Sequence, residues 1–94
     1  MSMIINCQND LRQANSQFWG GIFGTCIQQN REKKCLSVAE AARLAGMEPS
    51  AWAAVEAGHV PETAVQLRAM AEALKFSSAQ LGIMVLLCQG AWEA

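Results

Sequence analysis

The chain has 94 residues, enough for one modest hydrophobic core, so we expect a single domain. Hydrophobic residues make up 52% of the sequence and charged residues 16%, which argues against a disordered chain, and the formal net charge of −1 lacks the basic surplus typical of nucleic-acid-binding proteins. Tyrosine is absent and proline occurs only twice, whereas alanine, leucine, glutamine and glutamate are frequent, so the composition favours helices over sheets.

The cysteines and the chain termini bear on cofactors and on cellular location. Cys7, Cys26, Cys35 and Cys88 form no CxxC pair, and His59 is the one histidine, so we expect reduced thiols in a cytoplasmic protein with no metal and no cofactor. The longest apolar run, 81–88, is far shorter than the ~20 residues that span a bilayer. The first ten residues lack a basic segment followed by a long apolar one, so neither secretion nor a membrane partner is predicted.

Apolar residues at helical spacing predict a first helix that begins after Asn9 or Asp10 and ends near Lys33 and Lys34. The apolar positions are Leu11, Ala14, Phe18, Phe23 and Ile27. Three glycines interrupt this pattern, namely Gly20, Gly21 and Gly24. Because glycine weakens a helix, the pattern predicts either two helical pieces or one kinked helix, and flexibility accounts for the glycines.

A second helix is predicted to begin at Ser37, because Ser37 and Glu40 have the spacing of a capping box. It runs to about Ala45 and stops at Gly46, since glycine adopts the left-handed conformation without steric cost.

A third helix is predicted over 49–57, with Pro49 at its first position and Gly58 after its end. Ala42 must be small where this helix crosses the second one. Three side chains of the pair are predicted to point inward: Met47, Trp52 and Val55. We interpret Trp52 as a core residue.

Two further helices complete the predicted fold. After Pro61, an apolar stripe predicts the fourth helix at Leu67, Met70, Ala71 and Leu74. Ser77 and Gln80 form a second capping box that opens a fifth helix, whose predicted extent reaches Trp92. Its apolar positions are Leu81, Met84, Val85, Leu87 and Cys88.

The order and spacing of small and apolar residues through these helices resembles the Xre-type helix-turn-helix family of phage repressors and Cro-like proteins. The matching positions are Gly24, Ile27, Arg31, Leu36, Ser37, Ala42, Gly46, Met47, Trp52, Val55, Glu56, Gly58, Leu67, Met70, Ala71 and Leu74. The resemblance implies an all-α, five-helix fold in which the helix-turn-helix domain spans 23–81. Residues 1–22 would then be an N-terminal helical extension, and 82–94 an apolar C-terminal helix suited to dimerisation.

The resemblance also implies that the third helix enters the major groove of DNA while the second contacts phosphates. The DNA-facing positions carried over are Val38, Glu48, Pro49, Ser50, Ala53 and Ala54, and the flanking candidates are Gln28, Lys33, Lys34, Ser37 and Arg43. This set departs from the side chains that usually read bases, since Arg, Lys, Asn and Gln are missing from the third helix and Val38 stands where the family usually has glutamine. Cys35 stands where the family often has glycine.

The resemblance further implies an ion pair between Arg31 and Glu56 that ties the first helix to the third. The fifth helix carries apolar residues more widely than one core-facing stripe requires, which predicts a homodimer. The interface residues predicted for this dimer are Leu81, Met84, Val85, Leu87 and Trp92.

Three functions fit these observations, and none of them is enzymatic, because no catalytic set can be assembled from the residues. The first is a repressor-like transcriptional regulator of bacterial or phage type that binds operator DNA as a homodimer. The second is a degenerate helix-turn-helix module that binds another protein, with weak or no DNA binding, since its recognition helix is apolar and acidic. The third is an antitoxin-like regulator that combines both modes.

Overall fold

The computed structural model describes the backbone of residues 2–92 and the side chains of residues 17–92, and over this range the chain forms five helices and no strand. The helices are α1 (Ser2–Lys33), α2 (Val38–Ala45), α3 (Pro49–Glu56), α4 (Ala64–Ala73) and α5 (Ser78–Trp92). The all-α, five-helix fold predicted from the sequence is confirmed.

The first helix is longer than the sequence pattern predicted. It begins at Ser2 rather than after Asn9 or Asp10, and it continues through all three glycines, so the prediction of two helical pieces is wrong. At ~1.5 Å per residue its 32 residues extend about 48 Å. Glycine costs a helix only ~1 kcal/mol per residue, and the packing of α1 against α3 and α5 offsets this cost. The side chains of Leu11 and Ala14 lie outside the described residues.

Local hydrogen bonds explain where α1 ends and α2 begins. Cys35 adopts the left-handed conformation with φ of 57°, and the Leu36 N–H donates to the carbonyl of Arg31 at 3.2 Å. The predicted capping box of α2 is present, because the Ser37 hydroxyl accepts from the Glu40 N–H at 3.1 Å and the Glu40 carboxylate accepts from the Ser37 N–H. Polar side chains therefore satisfy the first amides of α2.

The last two helices start in the same way. The predicted box before α5 is present, since the Ser77 hydroxyl accepts from the Gln80 N–H at 3.1 Å and the Gln80 side chain accepts from the Ser77 N–H at 2.9 Å. Thr63 caps α4 by accepting from the Gln66 N–H at 3.1 Å. Thr63 was not among the predicted caps, although a threonine just before an apolar stripe is a common helix start.

The core lies between all five helices and is almost entirely apolar. Its largest fully buried side chains are Trp52, Phe23, Ile27, Leu67, Met70 and Leu74. The prediction that Trp52 packs in the core is confirmed, since none of its surface is exposed. Burial also raises the pKa of the Cys88 thiol to about 12, so this cysteine remains protonated at neutral pH.

The dimer interface predicted on α5 needs correction. Met84 and Leu87 are buried in the protein's own core, so the prediction is wrong for these two. The reason is that α5 is covered by α1 and α4, and two neighbours require a wide apolar surface. Leu81 and Val85 are half-buried, and Trp92 is partly exposed while its indole Nε1 donates to the Pro61 carbonyl at 2.9 Å.

Candidate nucleic-acid interface

The turn between α2 and α3 is made by Gly46, which has φ of 68° and ψ of 32°. Its N–H donates to the carbonyl of Arg43 at 3.1 Å, and the Met47 N–H donates to the carbonyl of Ala42 at 2.8 Å. These bonds satisfy the last carbonyls of α2 and reverse the chain within three residues. A side chain at Gly46 would be strained by the positive φ, so this glycine is required by backbone conformation.

The start of α3 is unusual because no side chain caps it. Glu48 occupies the capping position without a side-chain hydrogen bond, and Pro49 fills the first helical position. Pro49 lacks the N–H that would otherwise need a partner there. The exposed Glu48 carboxylate therefore lies next to the helix end that a recognition helix presents to DNA.

A partly buried hydrogen-bond network fixes the other end of α3. The Arg31 guanidinium donates two hydrogen bonds to the Glu56 carboxylate, at 2.6 and 3.0 Å, and the side chains are only 13% and 12% exposed. Arg31 also donates to the carbonyl of Leu36 at 2.8 Å, while the Trp52 indole donates to Glu56 at 2.6 Å. The structure thus contains the ion pair expected between these residues, and it adds Trp52 as a third member.

This network favours the charged form of Arg31. Its pKa is raised above the ordinary value chiefly by the hydrogen bonds to Glu56, although burial acts in the opposite direction. The sequence offered one signal for the Trp52 bond, because Trp52 and Glu56 are four residues apart on one helix. We infer that this network sets the orientation of α3 against α1.

Two glycines allow α1 to approach the end of α3 at backbone distance. A Cβ atom at Gly20 would lie 2.1 Å from the carbonyl oxygen of Gly58, and one at Gly24 would lie 2.5 Å from that of Val55. Flexibility is therefore the wrong explanation for Gly20 and Gly24. Their spacing of four residues, which puts both on one side of a helix, was the available signal. A Cβ atom at Gly21 would meet no atom within 4 Å, so helix flexibility remains the interpretation of this glycine.

The outward side of α3 and its N-terminal boundary expose four of the predicted DNA-facing residues: Glu48, Pro49, Ser50 and Ala53. Ala54 is half-buried, and Val38 on α2 is half-buried and packed against the core. Val38 is therefore not a freely exposed DNA-facing residue, in contrast to the prediction. Helix α2 packs against α4, and the valine side chain contributes to this apolar contact.

The flanking candidates lie on several elements. Lys33, Lys34 and Arg43 are exposed, and Gln28 is exposed while its amide donates to Glu32 at 3.2 Å. The Ser37 hydroxyl accepts a hydrogen bond from the Glu40 N–H in the capping box, so it is less available to a phosphate. Arg31 binds Glu56, the last residue of α3, and we call this pair the clamp. Lys33 and Lys34 follow Arg31 in the sequence, so they come shortly after the residue that contacts the C-terminal end of α3.

Electrostatics at this surface are close to balanced. Glu56 is paired with Arg31, which leaves Glu40, Arg43 and Glu48 as the exposed charges of the α2–α3 unit. Beside it, Lys33 and Lys34 add two positive charges and the exposed Glu32 adds one negative charge. A DNA phosphate would therefore meet weak attraction from the flank and repulsion from Glu48.

Among the residues that the structure describes, no group of three His, Cys, Asp or Glu side chains could hold a metal ion. Within the same part of the chain, no helix is long and apolar enough to cross a membrane.

Comparison with known protein families agrees with this geometry. The family described as the helix-turn-helix domain matches residues 22–81, which is well over half of the 94-residue chain and includes α2, α3 and α4. The chain belongs to the helix-turn-helix domain family. No curated protein and no solved structure matches it. Membership of this family supports assignment as a DNA-binding regulator.

Proposed function

We propose that this protein is an Xre-type transcriptional regulator of bacterial or phage origin that binds operator DNA in the cytoplasm as a homodimer. In each copy α3 lies in the major groove, and the two half-sites are separated by about one helical turn of DNA. The observation that carries this proposal is the exposed surface of α3 between two fixed points. One end of α3 follows the Gly46 turn, the other is held by Arg31, and the exposed residues Pro49, Ser50 and Ala53 lie between.

Small side chains determine how α3 would read DNA. The Ser50 hydroxyl can bond a base edge or a phosphate, and the Ala53 methyl can contact a thymine methyl. With one or two base contacts available, most of the specificity must come from the shape and deformability of the operator. Small residues favour this mode because they let the helix backbone lie deep in the groove.

Lys33, Lys34 and Arg43 are the candidates for phosphate contacts. Three neutralised phosphates per copy predict a shallow salt dependence, with a slope of roughly −3 per copy in log affinity against log salt. A titration of duplex DNA across a salt series measures this slope. A slope near zero at detectable affinity would contradict phosphate contacts by these residues.

The test of the proposal is Glu48→Lys, which removes a repulsive charge from the start of α3 and adds a cation. We expect DNA affinity to rise about tenfold at low salt, measured on genomic fragments of the host. Glu72→Lys is the matched control, because it makes the same charge change at an exposed site on α4. Equal gains in both variants would indicate only bulk charge.

One outcome would overturn the proposal outright. If the folded wild-type protein binds none of the fragments at low salt, the DNA-binding function is wrong.

A second candidate function is recognition of another protein, and a groove beside α3 favours it. This groove has a volume of about 530 Å³ and is lined by Met47, Ala51 and Val65, with Glu48 and Glu62 among its polar residues. Val65 is 80% exposed. A partner with an apolar side chain flanked by lysine or arginine would fit this chemistry. Glu48→Lys would weaken binding of that partner, whereas it would strengthen DNA binding.

A further inference from the structure

Charges are distributed unevenly between two parts of the molecule. Every charged residue between positions 17 and 92 lies within 31–75, whereas 17–30 and 76–92 have none. These two uncharged segments are much of the second half of α1 and the whole of α5 with its cap, and they pack against each other. The α1–α5 pair is therefore an uncharged layer. Ordinary soluble surfaces carry charges throughout, so an uncharged layer suggests a covered surface.

The outer surface of this layer is apolar as well. Phe18 on α1 is 58% exposed, and Ile83 and Leu86 on α5 are 57% and 66% exposed. We name these three side chains the apolar patch. They differ from the core set of α5, so the fold of one copy does not account for them.

The members of the apolar patch lie on neighbouring sides of the two helices. Ile83, Leu86 and Gly90 are spaced i, i+3 and i+7, so they share one side of α5. A Cβ at Gly90 would be 2.9 Å from the ring of Trp19, so this side of α5 borders α1 at its Gly90 end. The Trp19 ring in turn lies edge-on to the ring of Phe18, with centroids 5.2 Å apart. The patch therefore crosses from one helix to the other.

A shallow groove along α1 extends the patch. It is lined by Gln17, Phe18, Gly21, Ile22, Thr25 and Cys26, none of which is charged. Gly21 opens space in this lining, because no atom lies within 4 Å of a Cβ placed there. Ridges on a partner helix pack into grooves of this kind.

The sequence of α1 continues the same line towards its N-terminus. Ile4, Leu11 and Phe18 recur every seven residues, and the smaller Cys7, Ala14 and Gly21 recur at the intervening positions. A spacing of alternately three and four residues is the pattern of helices that pair along a seam. All these positions belong to the continuous helix Ser2–Lys33.

We propose that the apolar patch and the seam along α1 pair with the same surface of a second copy, forming a symmetric homodimer. This inference deepens the proposed function and rests on it for the role of the dimer, because it names the surface that would join two DNA-binding copies. A twofold interface brings identical surfaces together, so it must be complementary to itself. A surface without charges meets this condition, since it places no like charges opposite each other.

The area required also favours a long interface. A stable homodimer covers about 800 Å² per copy. The paired segments of α1 and α5 form a surface of only about 20 by 20 Å, given a rise of ~1.5 Å per residue and a helix spacing of ~10 Å. The first half of α1 adds about 22 Å of helix to the same seam. We therefore include it in the interface.

The central test is Leu86→Glu, measured by sedimentation equilibrium on the full chain without DNA. We expect wild type to be dimeric at ~50 µM. The dimer dissociation constant of the variant should be at least about thirtyfold higher, because each dimer would then bury two carboxylates in its interface. Val65→Glu is the matched control, since it places the same charge on an apolar residue of α4 that is also exposed. This control should remain dimeric.

Two further variants separate the parts of the interface. Phe18→Ser removes the ring on α1 without adding a charge, so it reports on the patch even if Leu86→Glu fails to fold, and it should also weaken the dimer. Leu11→Glu tests the first half of α1, and a wild-type dimer in this variant would overturn the inclusion of that segment.

The proposal is wrong if wild type is monomeric at ~100 µM, or if Leu86→Glu and Phe18→Ser both dimerise like wild type. It is also wrong if Val65→Glu dissociates the dimer as strongly as Leu86→Glu. Because the measurement contains no DNA, its failure is distinct from failure of operator binding. If the protein dimerises through this interface but binds no DNA, the proposed function is wrong and the proposed interface is supported.

Discussion

The two sides of α1 illustrate how one helix can serve two purposes. Its inner side packs against α3 and the core through Phe23, Ile27 and two glycines, all fully or nearly fully buried. Its outer side exposes Phe18 and Gly21 and has no charge from 17 to 30. The inner side is fixed by contacts within the chain, whereas the outer side has apolar surface that the fold of one copy does not use.

The glycines make the difference plain. Gly20 and Gly21 are adjacent in sequence and have the same intrinsic helix propensity, yet only Gly20 meets the backbone of another element. Composition therefore cannot assign a role to a helical glycine, and the side of the helix on which it lies decides.

Replacing Gly20 with alanine should give the largest effect on stability. Its Cβ would lie 2.1 Å from a backbone carbonyl oxygen that cannot rotate away, so α1 and the end of α3 must separate. We expect a loss of about 3 kcal/mol or more in the free energy of unfolding, measured by urea denaturation.

Gly21→Ala is the matched control for this variant. Because its Cβ would meet open space, it should stabilise the helix by about 0.5–1 kcal/mol. All variants should be measured at one low protein concentration, so that association does not contribute. If Gly20→Ala and Gly21→Ala have the same stability, the distinction between the two sides of α1 is wrong.

Breaking the clamp between α1 and α3 should have the next largest effect. Arg31→Ala leaves the Glu56 carboxylate buried without its ionic partner, so we expect a loss of roughly 2–4 kcal/mol. Arg31→Lys should fall between the alanine variant and wild type, because lysine keeps the charge and loses the paired geometry.

Lys33→Ala provides the comparison on the exposed surface of the same helix end. It should change stability by less than ~0.5 kcal/mol. Thermal melts that place Arg31→Ala within a degree or two of wild type would show that the clamp contributes nothing.

The smallest effect is expected where α1 ends. Cys35 holds a left-handed conformation that strains a residue with a side chain, whereas glycine adopts it freely. Cys35→Gly should therefore stabilise the protein by about 0.5 kcal/mol, after the greater freedom of glycine in the unfolded chain is allowed for. Chemical denaturation with a precision of a few tenths of a kcal/mol would check this, and a clear destabilisation would contradict it.

This position also shows how a departure from a family pattern can be explained by conformation. Glycine is common before the second helix in the family that the sequence resembles, and the φ of 57° at Cys35 gives the physical reason. The cysteine is compatible with the fold because the strain of one left-handed residue is small.

Much of the fold could be predicted from the sequence because it depends on local interactions. The capping boxes at Ser37 and Ser77 and the left-handed turn at Gly46 involve residues within five positions of each other, so spacing alone reveals them. The burial of Trp52 followed from helical periodicity. Family resemblance, rather than spacing, supplied the partner of Arg31.

The remaining features were decided by tertiary structure, because they depend on which elements meet. Gly20 is essential only because the end of α3 crosses α1 at that point, and Met84 is a core residue only because α1 and α4 both cover α5. Leu86 and Met84 are equally apolar neighbours in the sequence, and only the packing of the helices buries one and exposes the other. Periodicity determines that a helix has an apolar side, whereas the number of its neighbours determines how much of that side remains free for a partner.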